Sequence, residues 1–174
     1  MKAQTHLVAG AGAAVIFLTA VANQDFGAPE LTLAQQMLSV PICLAGSLFP
    51  DIDLRTSVMG RKVQPVSCLV SALFGHRTLF HSPLLMAIIY LMGKTAAPNY
   101  MWVVLSFLVG MFSHLVMDAL NRQGVPLLWP IPTRFWAASI KTGSKGETRF
   151  TVFLSAIVIA MCIQYARLFV PNFS

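Results

Sequence analysis

The chain has 174 residues, the length of a single domain. Hydrophobic residues make up 56% of it and charged residues 10%, where soluble domains carry about 25% charged; this excludes a soluble globule and points to a polytopic membrane protein. The net charge of +6 comes from basic residues scattered through loops, with no nucleic-acid motif, so it reads as a topology signal and excludes nucleic acid as a partner.

Residues 1–22 carry one lysine, an apolar run from Leu7 and the small-residue pattern Ala20-Val21-Ala22. A cleaved secretory signal has that pattern, but the stretch reads here as a retained first span opened by His6. Gly10 and Gly12 give it a small face for close helix packing. A polar loop, residues 23–30, holds Asp25 and Glu30 and no basic residue. The second span, residues 31–49, contains Pro41 as a kink and stops at Pro50-Asp51-Ile52-Asp53. A basic loop follows with Arg55, Arg61 and Lys62.

Residues 63–75 are apolar but short, and stretches of about 10–14 residues favour a re-entrant or interfacial helix. Then comes His76-Arg77-Thr78-Leu79-Phe80-His81-Ser82-Pro83. A short third span occupies residues 79–93, and a small loop carries Lys94. The fourth span, residues 100–120, ends on Ser113-His114-Leu115-Val116-Met117-Asp118. The long connection 121–149 is basic and contains Trp129, Pro130, Arg134 and Trp136. Such a mixture suits a segment at headgroup level, either an interfacial anchor or a lid over substrate. Residues 141–148 resemble a phosphate loop only faintly, lacking its spacing and a preceding strand. The fifth span is 150–170. Cys43, Cys68 and Cys162 lie in apolar stretches without short spacing and read as small hydrophobes. The expected fold is therefore all-α, one membrane-embedded domain over residues 1–174 with about five transmembrane helices and one re-entrant or interfacial helix.

Alternating these spans with the N-terminus in the cytoplasm puts ten of the 12 basic residues inside, and only Lys94 and Arg167 outside. The C-terminus is then outside. In that arrangement all 4 histidines and three of the 6 acids fall at one depth on the cytoplasmic side. A shared depth is what ligands of one ion need. His114 and Asp118 share a helical face four residues apart. An ionisable pair inside lipid is expensive, and marks function unless the two merely satisfy each other. Asp51 and Asp53 are either a polar span end or a metal-binding and proton-accepting pair. His76 and His81 can converge if one lies in a turn. Arg77 is either a topology residue or a clamp for a phosphate oxygen. His6 is a further candidate ligand.

The order His6, then Phe49-Pro50-Asp51-Ile52-Asp53, then Gly75-His76-Arg77-x-x-x-His81-Ser82, then Ser113-His114-x-x-x-Asp118, resembles the YdjM family over residues 1–130. That resemblance implies a membrane-embedded, metal-dependent hydrolase under LexA control. The His114-x-x-x-Asp118 element is also similar to one in zinc-dependent phospholipases C and nucleases of the P1 type, which implies phosphoester chemistry. The expected site has His76, His81, His114, Asp118, Asp51 and His6 as ligands of one or two divalent ions, zinc or manganese. Asp51, Asp53 and Arg77 are the expected catalytic residues, and the expected substrate is a lipid or lipid-linked phosphoester at the cytoplasmic leaflet of the inner membrane. A transporter would hold similar residues near the bilayer midplane. A non-catalytic metal scaffold would close its coordination shell with protein ligands, whereas a catalytic site leaves one position open.

Overall fold

The computed structural model describes residues 1–25, 30–74, 77–131 and 133–169. Helix α1, Ala3–Asn23, stops at Gln24, which adopts a left-handed conformation (φ 56°) and returns its N–H to the carbonyls of Ala20 and Val21. Helix α2, Leu33–Leu48, starts from Thr32. The Thr32 hydroxyl accepts from the Gln35 N–H, and the Thr32 N–H donates to Gln35 Oε1 at 2.9 Å. This reciprocal cap is worth about 1 kcal/mol. Pro41 lies inside α2 and withdraws one backbone donor there. Pro50 then takes the chain into a tight 3-10 turn, Phe49–Asp53, that carries both aspartates.

Two short helices follow, α3 at Val58–Lys62 and α4 at Gln64–Phe74. Ser57 caps α3 through the Gly60 N–H at 2.8 Å, and its hydroxyl donates to the Asp51 carbonyl at 2.7 Å. One serine thus starts a helix and pins the aspartate turn. A second 3-10 turn, Leu79–His81, leads into α5, Pro83–Ala96, with Pro83 at its first position. Helix α6 is Met101–Ala119 and α7 is Lys145–Phe169. Among the described residues there is no strand, only two isolated bridges, Asn121 to Ile140 and Val125 to Phe135.

Four helical stretches, Ala3–Asn23, Leu33–Asp53, Pro98–Ala119 and Lys145–Arg167, are long and apolar enough to cross a membrane. The expected all-α membrane fold is therefore observed, but the count of spans is four long ones plus shorter apolar helices. The expected third span begins at Pro83, four residues later than the hydropathy suggested, because residues 79–81 form a 3-10 turn. With 14 residues, α5 is about 21 Å long, short of a hydrocarbon core of about 30 Å. The apolar stretch before it is the short helix α4, as expected.

Helix α6 packs mainly on α2 and α1, with α5 on its other side and α7 against α1. The α2–α6 approach is set by glycine. A Cβ at Gly46 would strike the Phe107 carbonyl, and one at Gly110 would strike the Cys43 carbonyl. In lipid, where apolar burial drives little, such close backbone contact and interhelical hydrogen bonds hold helices together. Ser106 Oγ donates to Ser39 Oγ at 3.0 Å across this seam, and Cys43 Sγ to the Gly10 carbonyl at 3.3 Å towards α1. Helix α7 is joined to α1 by a Thr5–Thr151 hydroxyl contact at 2.9 Å. The start of α1, the ends of α2 and α6, the turn before α5 and the start of α7 meet at one end of the bundle, as the contacts below show.

Candidate metal centre

Each helix delivers its polar residue at that shared end. His6 lies in the first turn of α1, Asp51 and Asp53 in the turn closing α2, His81 in the turn opening α5, and His114 with Asp118 in the last turns of α6. His6, Asp53, His81, His114 and Asp118 are all buried. His76 lies outside the described residues.

The two inner histidines are oriented by what they hold on the far side of the ring. His114 Nδ1 lies 2.7 Å from the Ser47 carbonyl oxygen. A carbonyl only accepts, so Nδ1 carries the proton and Nε2 keeps its lone pair. His81 Nδ1 lies 3.1 Å from Asp53 Oδ2 without hydrogen-bond geometry, so the carboxylate charge supports the ring and leaves its tautomer open. This carboxylate–histidine arrangement is the usual outer support of a metal-ligating imidazole. The two Nε2 atoms then face each other at 3.3 Å. That is hydrogen-bond distance if one nitrogen carries a proton, and the span of two neighbouring ligands on one ion if neither does.

Carboxylates complete the set. Asp118 Oδ2 is 3.6 Å from His81 Nε2 and 3.8 Å from His114 Nε2. Asp51 Oδ1 is 3.9 and 3.8 Å from the same atoms. Ligand atoms about 2.0–2.2 Å from one ion in near-tetrahedral array lie roughly 3.3–3.6 Å apart, so His81, His114 and Asp118 fit one divalent cation with a small contraction, with Asp51 close to both imidazoles. Asp51 is 15% exposed while the other three side chains are at most 1% exposed, so the side of the cluster that opens outward is the Asp51 side.

Around this core sit the remaining predicted residues. His6 stacks on His114 with ring centres 3.8 Å apart, and its Nε2 is 3.5 Å from Asp118 Oδ1. The Met1 amine is 2.8 Å from the same oxygen. His6, Asp51 and His114 form a second group close enough for an ion, though His114 offers only the one free nitrogen. Asp53 is buried, held by His81 and by the Arg77 backbone N–H at 2.9 Å. Arg77 has a left-handed backbone (φ 56°), a conformation costing of order 1–3 kcal/mol that the surroundings must enforce. Its guanidinium forms an ion pair with Asp118, Nη2 lying 2.6 Å from Oδ2, and donates from Nη1 to the Gly124 carbonyl at 3.1 Å. Three carboxylates thus face one guanidinium and one amine, and with neutral histidines the cluster is net negative. A buried surplus of that sign is costly, and a bound cation removes the cost.

The sequence profile of the YdjM inner membrane protein family matches residues 1–170. The chain belongs to that family. It is 33% identical over 170 residues to the Bacillus subtilis protein YvsG, described as uncharacterized, covering 97% of both chains. It is also 33% identical over 143 residues to the inner membrane protein YdjM of Escherichia coli, covering 78% of this chain and 68% of that one. No solved structure matches. Family membership and the four apolar helices agree on an inner-membrane location.

Some contributors to the site had no signature in the sequence. The Ser47 carbonyl and the Gly124 carbonyl are backbone atoms, and any residue type supplies one. Gly110 precedes the His114 motif on α6, and the close contact it permits with the Cys43 carbonyl depends on α2.

Proposed function

We propose that this protein is a membrane-embedded, metal-dependent hydrolase of a lipid or lipid-linked phosphoester. The observation that carries the reading is the pair of Nε2 atoms 3.3 Å apart, with His114 fixed from behind by the Ser47 carbonyl, Asp53 beside His81, and Asp118 and Asp51 flanking both. His81, His114 and Asp118 would hold the ion, with a position left open beside Asp51, and imidazole with carboxylate favours zinc or manganese. One ion is better supported than two, because His6 shares Asp118 rather than bringing a ligand set of its own. When bound, a divalent ion supplies Lewis acidity to a phosphoryl oxygen and a water acidified to about neutrality.

The chain's own residues divide the remaining work. Asp51, on the open side, accepts the proton from the attacking water. Asp53 is a positioning residue: it is buried, accepts from the Arg77 N–H and brings its charge to 3.1 Å from His81 Nδ1, which favours Asp51 of the two carboxylates as the base. Arg77 holds Asp118 in place and brings positive charge to where a phosphoryl group gathers negative charge. The ten basic residues at or near the site end favour placing that end in the cytoplasm, with the N-terminus inside and the C-terminus outside. Ligands at one end of the bundle fit a site reached from the headgroup layer better than a midplane transport site.

The test is metal analysis of the purified protein followed by assay of phospholipids and lipid-linked phosphates for metal-dependent release of phosphate or headgroup. Near one zinc or manganese per chain is expected, with turnover abolished by chelation. A metal that resists chelation, with no turnover of any of these substrates, would instead support the structural scaffold. Reporter fusions near Asn23 and Asn99 should both read outside, and a cytoplasmic signal at either would overturn the orientation.

A further inference from the structure

Arg77 links the metal centre to a second feature. On the side away from Asp53, its side chain lines a cavity of about 350 Å³ together with Thr78, Trp129, Ile131, Thr133 and Arg134. That volume is at the small end of ligand-binding sites. Arg77 is 6% exposed, and its Nε is buried with no hydrogen-bond partner among the described residues. A buried guanidinium N–H without an acceptor costs free energy that a new acceptor would recover. Arg134 adds a second guanidinium to the lining, and Thr78 and Thr133 add hydroxyls. The Arg134 fork, the Arg77 charge and the Thr133 hydroxyl around one space are groups suited to a phosphate, with its several acceptor oxygens.

The segment that carries Trp129, Ile131, Thr133 and Arg134 is held by its backbone. Val125 and Phe135 exchange N–H···O bonds, both at 2.9 Å, and Gly124 turns with φ +65° where a Cβ would meet the Phe135 carbonyl at 2.6 Å. Ala137 and Ile140 donate to the carbonyls of Ala119 and Leu120 at the end of α6. The segment is therefore fixed against the helix that carries His114 and Asp118. It also leaves Leu128, Ile131, Phe135 and Trp136 exposed. Apolar and tryptophan side chains presented at the end of a transmembrane bundle belong in the headgroup and upper acyl region.

We propose that this cavity seats the phosphate group of an amphiphile, with Arg77 and Arg134 on the phosphate and the apolar part leaving along Trp129 and Ile131. The inference rests on the hydrolase reading for its purpose, since it places a phosphoester one arginine away from the metal ligands, but its test needs no turnover. In protein carrying Trp102→Phe and Trp136→Phe, Trp129 is the remaining tryptophan. Its fluorescence should be quenched saturably by phosphatidic acid with brominated acyl chains. Unlabelled phosphatidic acid should compete, and diacylglycerol should not. Arg134→Ala should weaken the binding about 10- to 100-fold, the worth of a hydrogen bond to a charged group, and Arg134→Lys should weaken it less. Arg134 is exposed, so neither change threatens folding. Unchanged affinity in Arg134→Ala, or equal competition by diacylglycerol, would overturn the phosphate seat. Competition by inorganic phosphate at the same concentration would keep the anion seat and overturn the amphiphile. Binding of this kind in protein that hydrolyses nothing would sink the hydrolase and retain the seat. Phospholipid hydrolysis unimpaired by Arg134→Ala would do the reverse.

Discussion

Helices α6 and α7 are both apolar and both long enough to cross a membrane, yet 44% of the α6 span is buried within the protein and only 6% of the α7 span. Hydropathy does not separate them. What separates them is where small and polar residues fall. Helix α6 carries Ser106, Gly110, Ser113, His114 and Asp118 among its buried residues, so one face can approach α2 and α1 at backbone distance and still satisfy its polar atoms. Helix α7 presents Val152, Phe153, Ile159 and Ile163 outward, and has one buried acid at its start. In a membrane the informative residues are those lipid would reject. The contrast predicts that substitutions on α6 and its partners change metal binding or assembly sharply, while those on α7 are absorbed.

The largest effect should come from His114→Ala. It removes the nitrogen facing His81 and leaves Asp51 and Asp118 mutually repelling. Metal affinity should fall by more than the 10- to 100-fold typical of losing an outer partner, with the protein still inserted. Elemental analysis of the purified variant checks this. Metal content equal to the wild type would remove His114 from the site and level the contrast between the two helices.

Asp53→Asn comes next. The amide keeps the size of the side chain beside the His81 ring, but it lacks the charge that supports that ring. A loss of 10- to 100-fold in metal affinity is expected, read by competition with a chelator of known affinity. If affinity holds and turnover disappears, Asp53 rather than Asp51 is the base, and the division of labour between the two carboxylates is reversed.

Gly110→Leu tests packing without touching a ligand. The side chain would collide with the Cys43 carbonyl and the Ser47 backbone N–H. Overpacking of this kind costs about 1–3 kcal/mol, visible as a lowered unfolding temperature in detergent. Phe153→Leu on the exposed face of α7 should stay within about 0.5 kcal/mol of the wild type. Equal effects at both positions would mean that α7 is covered by a partner.

These sites mark how far the sequence could be read. The pairing of His114 with Asp118 follows from helical spacing alone, and the alternation of spans brought His6, Asp51, His81 and Asp118 to one end. The division of roles was not legible. Nothing local distinguishes Asp51 from Asp53 two residues later. The distinction arises because the 3-10 turn after Pro50 directs Asp53 under the His81 ring and Asp51 towards the open side. Arg77 read as free to meet a phosphate, whereas two of its three guanidinium nitrogens are engaged by Asp118 and the Gly124 carbonyl, leaving Nε. The span count blurred at residues 79–93 because hydropathy does not register that Pro83 starts the helix.

The smallest expected effect concerns Glu147, the buried acid at the start of α7. It is 1% exposed and could pass for a seventh ligand. Its contacts argue otherwise. Oε1 accepts from the Lys2 N–H at 2.6 Å and the Thr5 hydroxyl at 3.2 Å, and Oε2 accepts from the Gly143 N–H at 2.5 Å. These donors lie at the starts of α1 and α7, where helix dipoles also favour negative charge. Glu147 is therefore a latch that fastens the lipid-facing helix to the one carrying His6. Glu147→Gln retains an acceptor but loses the charge, costing about 1 kcal/mol and lowering the unfolding temperature by roughly 2–4 °C. Metal content should not change. Should metal be lost together with stability, α7 is not a passive wall: the latch would be setting the position of α1, and His6 would have to be counted among the residues on which the ion depends.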